Sequence, residues 1–116
     1  MLRTRYGRII NISSVAAIGG NRGQVNYAAA KAALHGATKA LAQEVASRGV
    51  TVNVVAPGII ESPMIEGLFS TEMIAQMVPM KRVGKSSEVA ALVGFLASKE
   101  AGYITGQIIS INGGMI

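Results

Sequence analysis

Short β-branched runs alternate along this chain with longer stretches of helical periodicity. Arg8 to Ser13 (Arg-Ile-Ile-Asn-Ile-Ser) reads as a short buried strand. Val50 to Ala56 (Val-Thr-Val-Asn-Val-Val-Ala) reads as a second, stopped by Pro57-Gly58. Gln107 to Asn112 is a third, ended by Gly113-Gly114. Between them the pattern predicts a long helix from about Asn26 to Ser47 and another near Ser86 to Ser98. A short helix is expected around Thr71 to Val78. The segment between the first strand and the long helix, with Gly19-Gly20-x-x-Gly23, reads as a flexible loop. Strands alternating with helices predict an α/β fold with a parallel sheet and right-handed crossovers.

At about 100° per residue, Leu34, Ala37, Leu41 and Val45 of the long helix fall within a stripe roughly 80° wide. That stripe is the predicted sheet-facing side. Tyr27 falls inside it, and Lys31 lies about 40° from its nearest members. A lysine avoids such a position unless its charge has a task there. The opposite face carries Ala29, Ala32, Ala33, Gly36 and Ala40, interrupted by Lys39 and Gln43. Small residues let a second helix approach closely, so a subunit contact is expected there. The plainer alternative is alanine chosen for helix propensity alone.

Composition sharpens this picture in two ways. Hydrophobic residues make up 50% of the 116 positions and charged residues only 15%, against about 25% charged in typical domains. A chain this short needs more polar surface than that, so much of its exterior is expected to be covered by further structure or by other subunits. The net charge of +5 would suit nucleic acid, but aromatics amount to 4% and only Arg3, Arg5 and Arg8 cluster. An acidic partner such as a carrier protein, or a phosphorylated cofactor, fits better than nucleic acid.

With no cysteine, disulfides and thiolate metal sites are excluded. The longest apolar run, Val89 to Ala97, is too short to span a bilayer. The first residues lack the apolar core of a secretory signal. A soluble, cytoplasmic protein that neither crosses a membrane nor carries a metal is expected.

The candidate chemistry lies in Asn26-Tyr27-Ala-Ala-Ala-Lys31. Four residues apart on a helix, Tyr27 and Lys31 are neighbours, about 5–6 Å apart at Cβ. A protonated lysine beside a phenol stabilises phenolate and makes an acid/base group usable near neutral pH. Ser14 follows the first strand, and ligands of parallel sheets bind at the carboxyl ends of strands. Its hydroxyl can donate to a substrate carbonyl while Tyr27 supplies or removes the proton. A serine there is otherwise an ordinary loop or cap residue. His35 reads as a surface or packing residue rather than a ligand. The glycines at 19, 20 and 23 lack the order of a phosphate-binding loop.

Ser14, the twelve-residue gap, Tyr27-Ala-Ala-Ala-Lys31, Asn53-Val-Val-Ala-Pro57-Gly58, Tyr103-Ile-Thr-Gly-Gln and Asn112-Gly113-Gly114 together resemble the short-chain dehydrogenase/reductases over essentially the whole chain. Within that family the sequence is most similar to bacterial reductases of 3-oxoacyl-[acyl-carrier-protein] thioesters. The resemblance implies a Rossmann-type doubly wound sheet, of which this chain is the C-terminal half. It implies NADPH as cofactor, with NAD the alternative, and an acyl-carrier-protein-bound substrate. Tyr27 would be the general acid, and Lys31 would stabilise its phenolate and bond the nicotinamide ribose. Ser14 would hold the substrate carbonyl. Pro57, Gly58, Ile60 and Ser62 would run beside the nicotinamide, with Ser62 where threonine is common and Pro63 where an acidic residue is frequent. Arg5 and Arg48 match basic positions that resemble carrier-protein docking sites; the alternative is ordinary solvated arginines.

The family's Gly-rich cofactor loop, its first strand and helix, and the asparagine that completes its catalytic set do not occur in these 116 residues. The first strand is therefore expected to be a bare sheet edge, and the chain alone is expected to be inactive. Two other readings stay open: a related dehydrogenase acting on a sugar, steroid or small alcohol, and a non-catalytic remnant or assembly module. Either way a homo-oligomer through the 26–47 helix is expected.

Overall fold

A computed structural model describes all 116 residues. Strand β1 (Gly7–Ile12) leads through a short helix α1 (Val15–Gly19) to the long helix α2 (Val25–Val45). Strand β2 (Val50–Pro57) follows, then α3 (Thr71–Met77), α4 (Ser86–Ala97) and strand β3 (Ile108–Ile111). The three strands form one parallel sheet in the order β1-β2-β3. Gly7 pairs with Val50 through to Ile12 with Val55, and Val54 with Ile108 through to Pro57 with Ile111. This is the predicted α/β architecture, a three-stranded part of a Rossmann-type fold. The register places all three carboxyl ends side by side.

The core is centred on β2. Val50 and Val52 pack against Ala42 and Val45 of α2, with Ile9 and Leu41 around them. The alternate residues Thr51, Asn53 and Val55 are just as buried. Successive strand residues point to opposite faces, so β2 is covered on both sides, and α4 packs against β1 and β2. Asn53 is fully buried yet satisfied: its amide donates to the Ile104 carbonyl at 2.9 Å, and its oxygen accepts from the Gln107 N–H at 3.1 Å. Thr105 Oγ1 accepts the Val52 N–H at 3.0 Å. The Tyr103–Gln107 segment is thus a turn tied to the middle of β2.

Three local findings differ from the sequence reading. The segment after β1 holds a five-residue helix rather than a loop throughout. Ser14 caps it, and Gly20 ends it with φ of 76°; so short a piece leaves no periodicity to detect. The long helix stops at Val45, and Ala46–Arg48 tighten into a 3-10 turn. Its inward face is also displaced. Thr38, Ala42 and Val45 are buried, Lys31 and His35 are half-buried, and Ala37 and Tyr27 are exposed. The face centre lies roughly 75° from the centre of the expected stripe at 100° per residue, so Leu34, Leu41 and Val45 stay half-buried or buried. Ala29, Ala33, Gly36 and Ala40 do lie on the exposed side, whereas Ala32 is partly covered.

Candidate active site

β1 delivers two serines to the carboxyl edge of the sheet. Ser13 is 4% exposed. Ser14, in extended conformation at φ −157° and ψ 154°, caps α1 by accepting the Ala16 N–H on its hydroxyl at 3.2 Å. That acceptor role leaves the Ser14 hydroxyl proton free to donate outward.

Tyr27 sits in the first turn of α2 and is 45% exposed. The positive end of a 21-residue helix favours negative charge at that position. One turn on, the Lys31 ammonium donates to the Ile12 carbonyl at 3.4 Å and lies 5.9 Å from the Tyr27 ring centroid. The expected helix neighbours are thus together, and Lys31 is tied to the strand end two residues before Ser14.

A polar ladder fixes that placement. Ser13 Oγ donates to the Lys31 backbone carbonyl at 3.2 Å and lies 2.7 Å from His35 Nε2. Two residues back on the strand, the Asn11 amide donates to Thr38 Oγ1 at 2.9 Å. Lys31, His35 and Thr38 recur at helical spacing: Lys31 meets Ile12 and Ser13, His35 meets Ser13, and Thr38 meets Asn11. This set went unrecognised in the sequence. The only available signal was polar residues at i, i+4 and i+7 on an alanine-rich helix.

Pro57 ends β2, and the Gly58 N–H donates to the Ile111 carbonyl of β3 at 2.9 Å. A Cβ at Gly58 would stand 2.7 Å from Asn112 Cβ, so only glycine lets these strand ends meet. Ile60 bridges to Gly84. Ser62 is exposed, its backbone carbonyl accepts the Ile65 and Glu66 N–H groups, and its hydroxyl has no hydrogen-bond partner. These four residues run in sequence from the sheet's carboxyl edge into the following turn. Beside Ser14 opens a cleft of about 360 Å³ between α1 and the ends of β2 and β3, lined chiefly by apolar side chains such as Val15, Ile59 and Phe69.

Arg5 and Arg48 are brought to one place, flanking the start of the β1–β2 pair, where the Gly7 N–H donates to the Gly49 carbonyl. That is the opposite end of the sheet from Ser14 and Tyr27. His35 takes the packing role read from the sequence. No three His, Cys, Asp or Glu side chains converge as a metal site would need, and no helix is long and apolar enough to cross a membrane.

Chemically, the edge offers a hydroxyl donor, a phenol at a helix N-terminus and an ammonium beside it. Such a set can bind a carbonyl and pass it one proton.

All 116 residues match the family model described as enoyl-(acyl carrier protein) reductase. The 3-oxoacyl-[acyl-carrier-protein] reductase FabG of Rickettsia felis is 55% identical over 100% of this chain and 49% of its own length. The protein of the same description from Vibrio cholerae is 55% identical over 99% of the chain and 48% of its length. Nodulation protein G of a Rhizobium species is 54% identical over 99% of the chain and 48% of its length. The chain spans about half the length of these curated relatives.

Proposed function

The chain belongs to the short-chain dehydrogenase/reductase family of oxidoreductases, and on that premise we propose that it forms the proton-donating half of a 3-oxoacyl-[acyl-carrier-protein] reductase. The observation that carries this reading is the placement of Ser14, Tyr27 and Lys31 at one strand end, with the ammonium held 3.4 Å from the Ile12 carbonyl.

In this reading Ser14 donates its hydroxyl hydrogen to the 3-oxo oxygen and polarises the carbonyl. Tyr27 transfers the phenolic proton to that oxygen, and Lys31 stabilises the phenolate left behind. A bound reduced nicotinamide supplies the hydride that the carbonyl carbon receives. The product is the 3-hydroxyacyl thioester.

The chain fits the nicotinamide end of that cofactor. Lys31 would bond the ribose, Pro57, Gly58 and Ile60 would offer a close backbone surface, and the unpartnered Ser62 hydroxyl would meet the carboxamide. Residues for the pyrophosphate do not occur in these 116 positions, because no G-x-G-x-x-G is present. The cofactor is NADPH rather than NADH in this reading, through the likeness to the 3-oxoacyl reductases. The 116 residues form the C-terminal catalytic part of one domain, and the protein works in the cytoplasm. It assembles as a homo-oligomer through the small-residue face of α2. Arg5 and Arg48 dock the acidic carrier protein by charge.

The family description names an enoyl reductase, whereas the relatives are named for a 3-oxo substrate. An enoyl thioester also presents a carbonyl oxygen to a serine hydroxyl, so it is the names of the relatives that favour the 3-oxo substrate in this reading.

Calorimetric titration of NADPH into this chain, with acetoacetyl thioester turnover measured in parallel, tests the division of labour. Neither saturable binding nor turnover above background is expected, because the pyrophosphate contacts contribute much of cofactor affinity. Tight binding with robust turnover by these 116 residues alone would overturn the reading of an incomplete site.

A further inference from the structure

The cleft beside Ser14 is closed on one side by the last residues of the sequence, and they are held there by a single side chain. Asn112 follows β3. Its Oδ1 accepts the Gly114 N–H at 3.0 Å and the Met115 N–H at 3.2 Å, and its Nδ2 donates to the Ile116 carbonyl at 3.3 Å. Gly113 and Gly114, at φ of 65° and 92°, allow the sharp reversal. The Gly113 carbonyl accepts the Met80 N–H at 3.1 Å, which anchors the turn to the segment after α3. The reversal lays Met115 and Ile116 into the cleft. Ile116 comes so close to α1 that a Cβ on Gly19 would lie 3.0 Å from its Cδ1. Met77 of α3 lines the same space.

The lining also says what can occupy it. Val15, Ile59, Phe69, Met77, Met115 and Ile116 supply the walls, and Asn21 is the one polar side chain among all the lining residues. Asn21 is already engaged, since its amide donates to Gln24 Oε1 at 2.6 Å. A sugar needs several free hydrogen-bonding side chains, and the cleft offers only what is left of Asn21. Two methionines give an adaptable apolar surface, suited to a flexible chain rather than one rigid shape.

We propose that the Asn112-held segment Met115–Ile116 is the specificity-determining wall of this cleft, and that the occupant is the unbranched acyl tail of a thioester. This rests on the reading of Ser14 as the carbonyl-binding residue, because Val15 and Ala16 carry the cleft directly on from Ser14. Met115 and Ile116 therefore set how many methylenes are buried.

The test needs no cofactor and no turnover. Butyryl, octanoyl and dodecanoyl pantetheine thioesters, which lack the 3-oxo group, are titrated calorimetrically into the chain and its variants. Each additional buried methylene should tighten binding about fourfold until the cleft is full. Met115→Ala should move the limit to a longer chain, and Met115→Trp to a shorter one. The chain has no tryptophan of its own, so the Trp variant also reports occupancy by fluorescence. If Met115→Trp fails to fold, the Met115→Ala shift decides alone. Affinity independent of chain length, or an unchanged limit in Met115→Ala, overturns the inference. Tighter binding of a steroid or a sugar than of octanoyl thioester overturns it as well. Length-dependent binding by a protein that proves unable to reduce a 3-oxoacyl thioester when completed would leave this wall standing and remove the proposed reaction instead.

Discussion

Lys31 occupies the helix face that packs toward the sheet, where a charge is costly unless it is engaged. The Ile12 carbonyl takes one of its hydrogens, and Ser13 holds its backbone carbonyl. Its position is therefore set by strand β1, not by free rotation of a surface side chain. Asn53 illustrates the same logic without any chemistry. It was legible as part of a familiar run, but its purpose is seen only in its two bonds to the Tyr103–Gln107 turn. Asn53→Ala leaves the Ile104 carbonyl and the Gln107 N–H without their partner, and should cost roughly 2–4 kcal/mol. Urea denaturation of the parent and variant measures this; a loss under about 0.5 kcal/mol would mean that the turn is not fastened through Asn53.

The strands were the most readable elements because β-branched runs bounded by Pro-Gly and Gly-Gly carry both their type and their ends. Observed and expected limits differ by a residue or two. Helix α2 was read correctly as a helix, but its inward face is turned by roughly a fifth of a turn: Val45 is buried and Leu41 packs on the core as expected, whereas Ala37 and Tyr27 are exposed. Leu34 and Leu41 dominate its hydrophobic pattern, yet the sheet side is chosen by Lys31, His35, Thr38 and Ala42. An alanine-rich helix has too little apolar contrast for hydrophobicity to fix its rotation, so the polar ladder to β1 decides. Helix α1 was missed because its signal lies only in the cap and the closing glycine.

At α4 the start is a capping arrangement. The Glu88 carboxylate accepts the Lys85 N–H at 3.0 Å and pairs bidentately with Arg82 at 2.8 and 3.0 Å. The hydrogen bond from Arg82, then that from Lys85, hold the Glu88 carboxyl down to about 2, against an ordinary 4.5. With the folded value below the unfolded one, the unfolded chain binds more protons between them, and stability rises with pH across that window. The contribution is complete above about pH 4.5 and lost as pH falls through about 2. Both side chains are 40% exposed or more, so the effect is small and salt-sensitive. Thermal midpoints of the parent and Glu88→Gln should differ at pH 6 and converge toward pH 2; a gap that does not narrow refutes the pairing.

Across the whole molecule, the shape agrees with the composition. The radius of gyration is 15.6 Å, with extents of 50 × 28 × 22 Å, against roughly 13 Å for a compact domain of this length. Only 17 of 116 residues are buried, while Val25, Met64 and Leu68 stand largely in solvent. β1 is bonded on one side alone. Apolar surface and an unpaired strand edge on this scale suit a part of a larger unit, as does a chain that spans half the length of its relatives. The low charged fraction agrees with this exposed apolar surface, but no sequence pattern tells which faces carry it.

The most direct measurement joins this chain to the amino-terminal half of the Rickettsia felis reductase and follows NADPH oxidation with an acetoacetyl thioester. The fusion should turn over where the 116 residues alone do not. Tyr27→Phe in the fusion should lower kcat about a hundredfold or more, with NADPH affinity little changed. A fusion that folds and binds NADPH yet reduces nothing, or a Tyr27→Phe variant as active as its parent, would contradict the assignment of this strand edge as a carbonyl-reducing site.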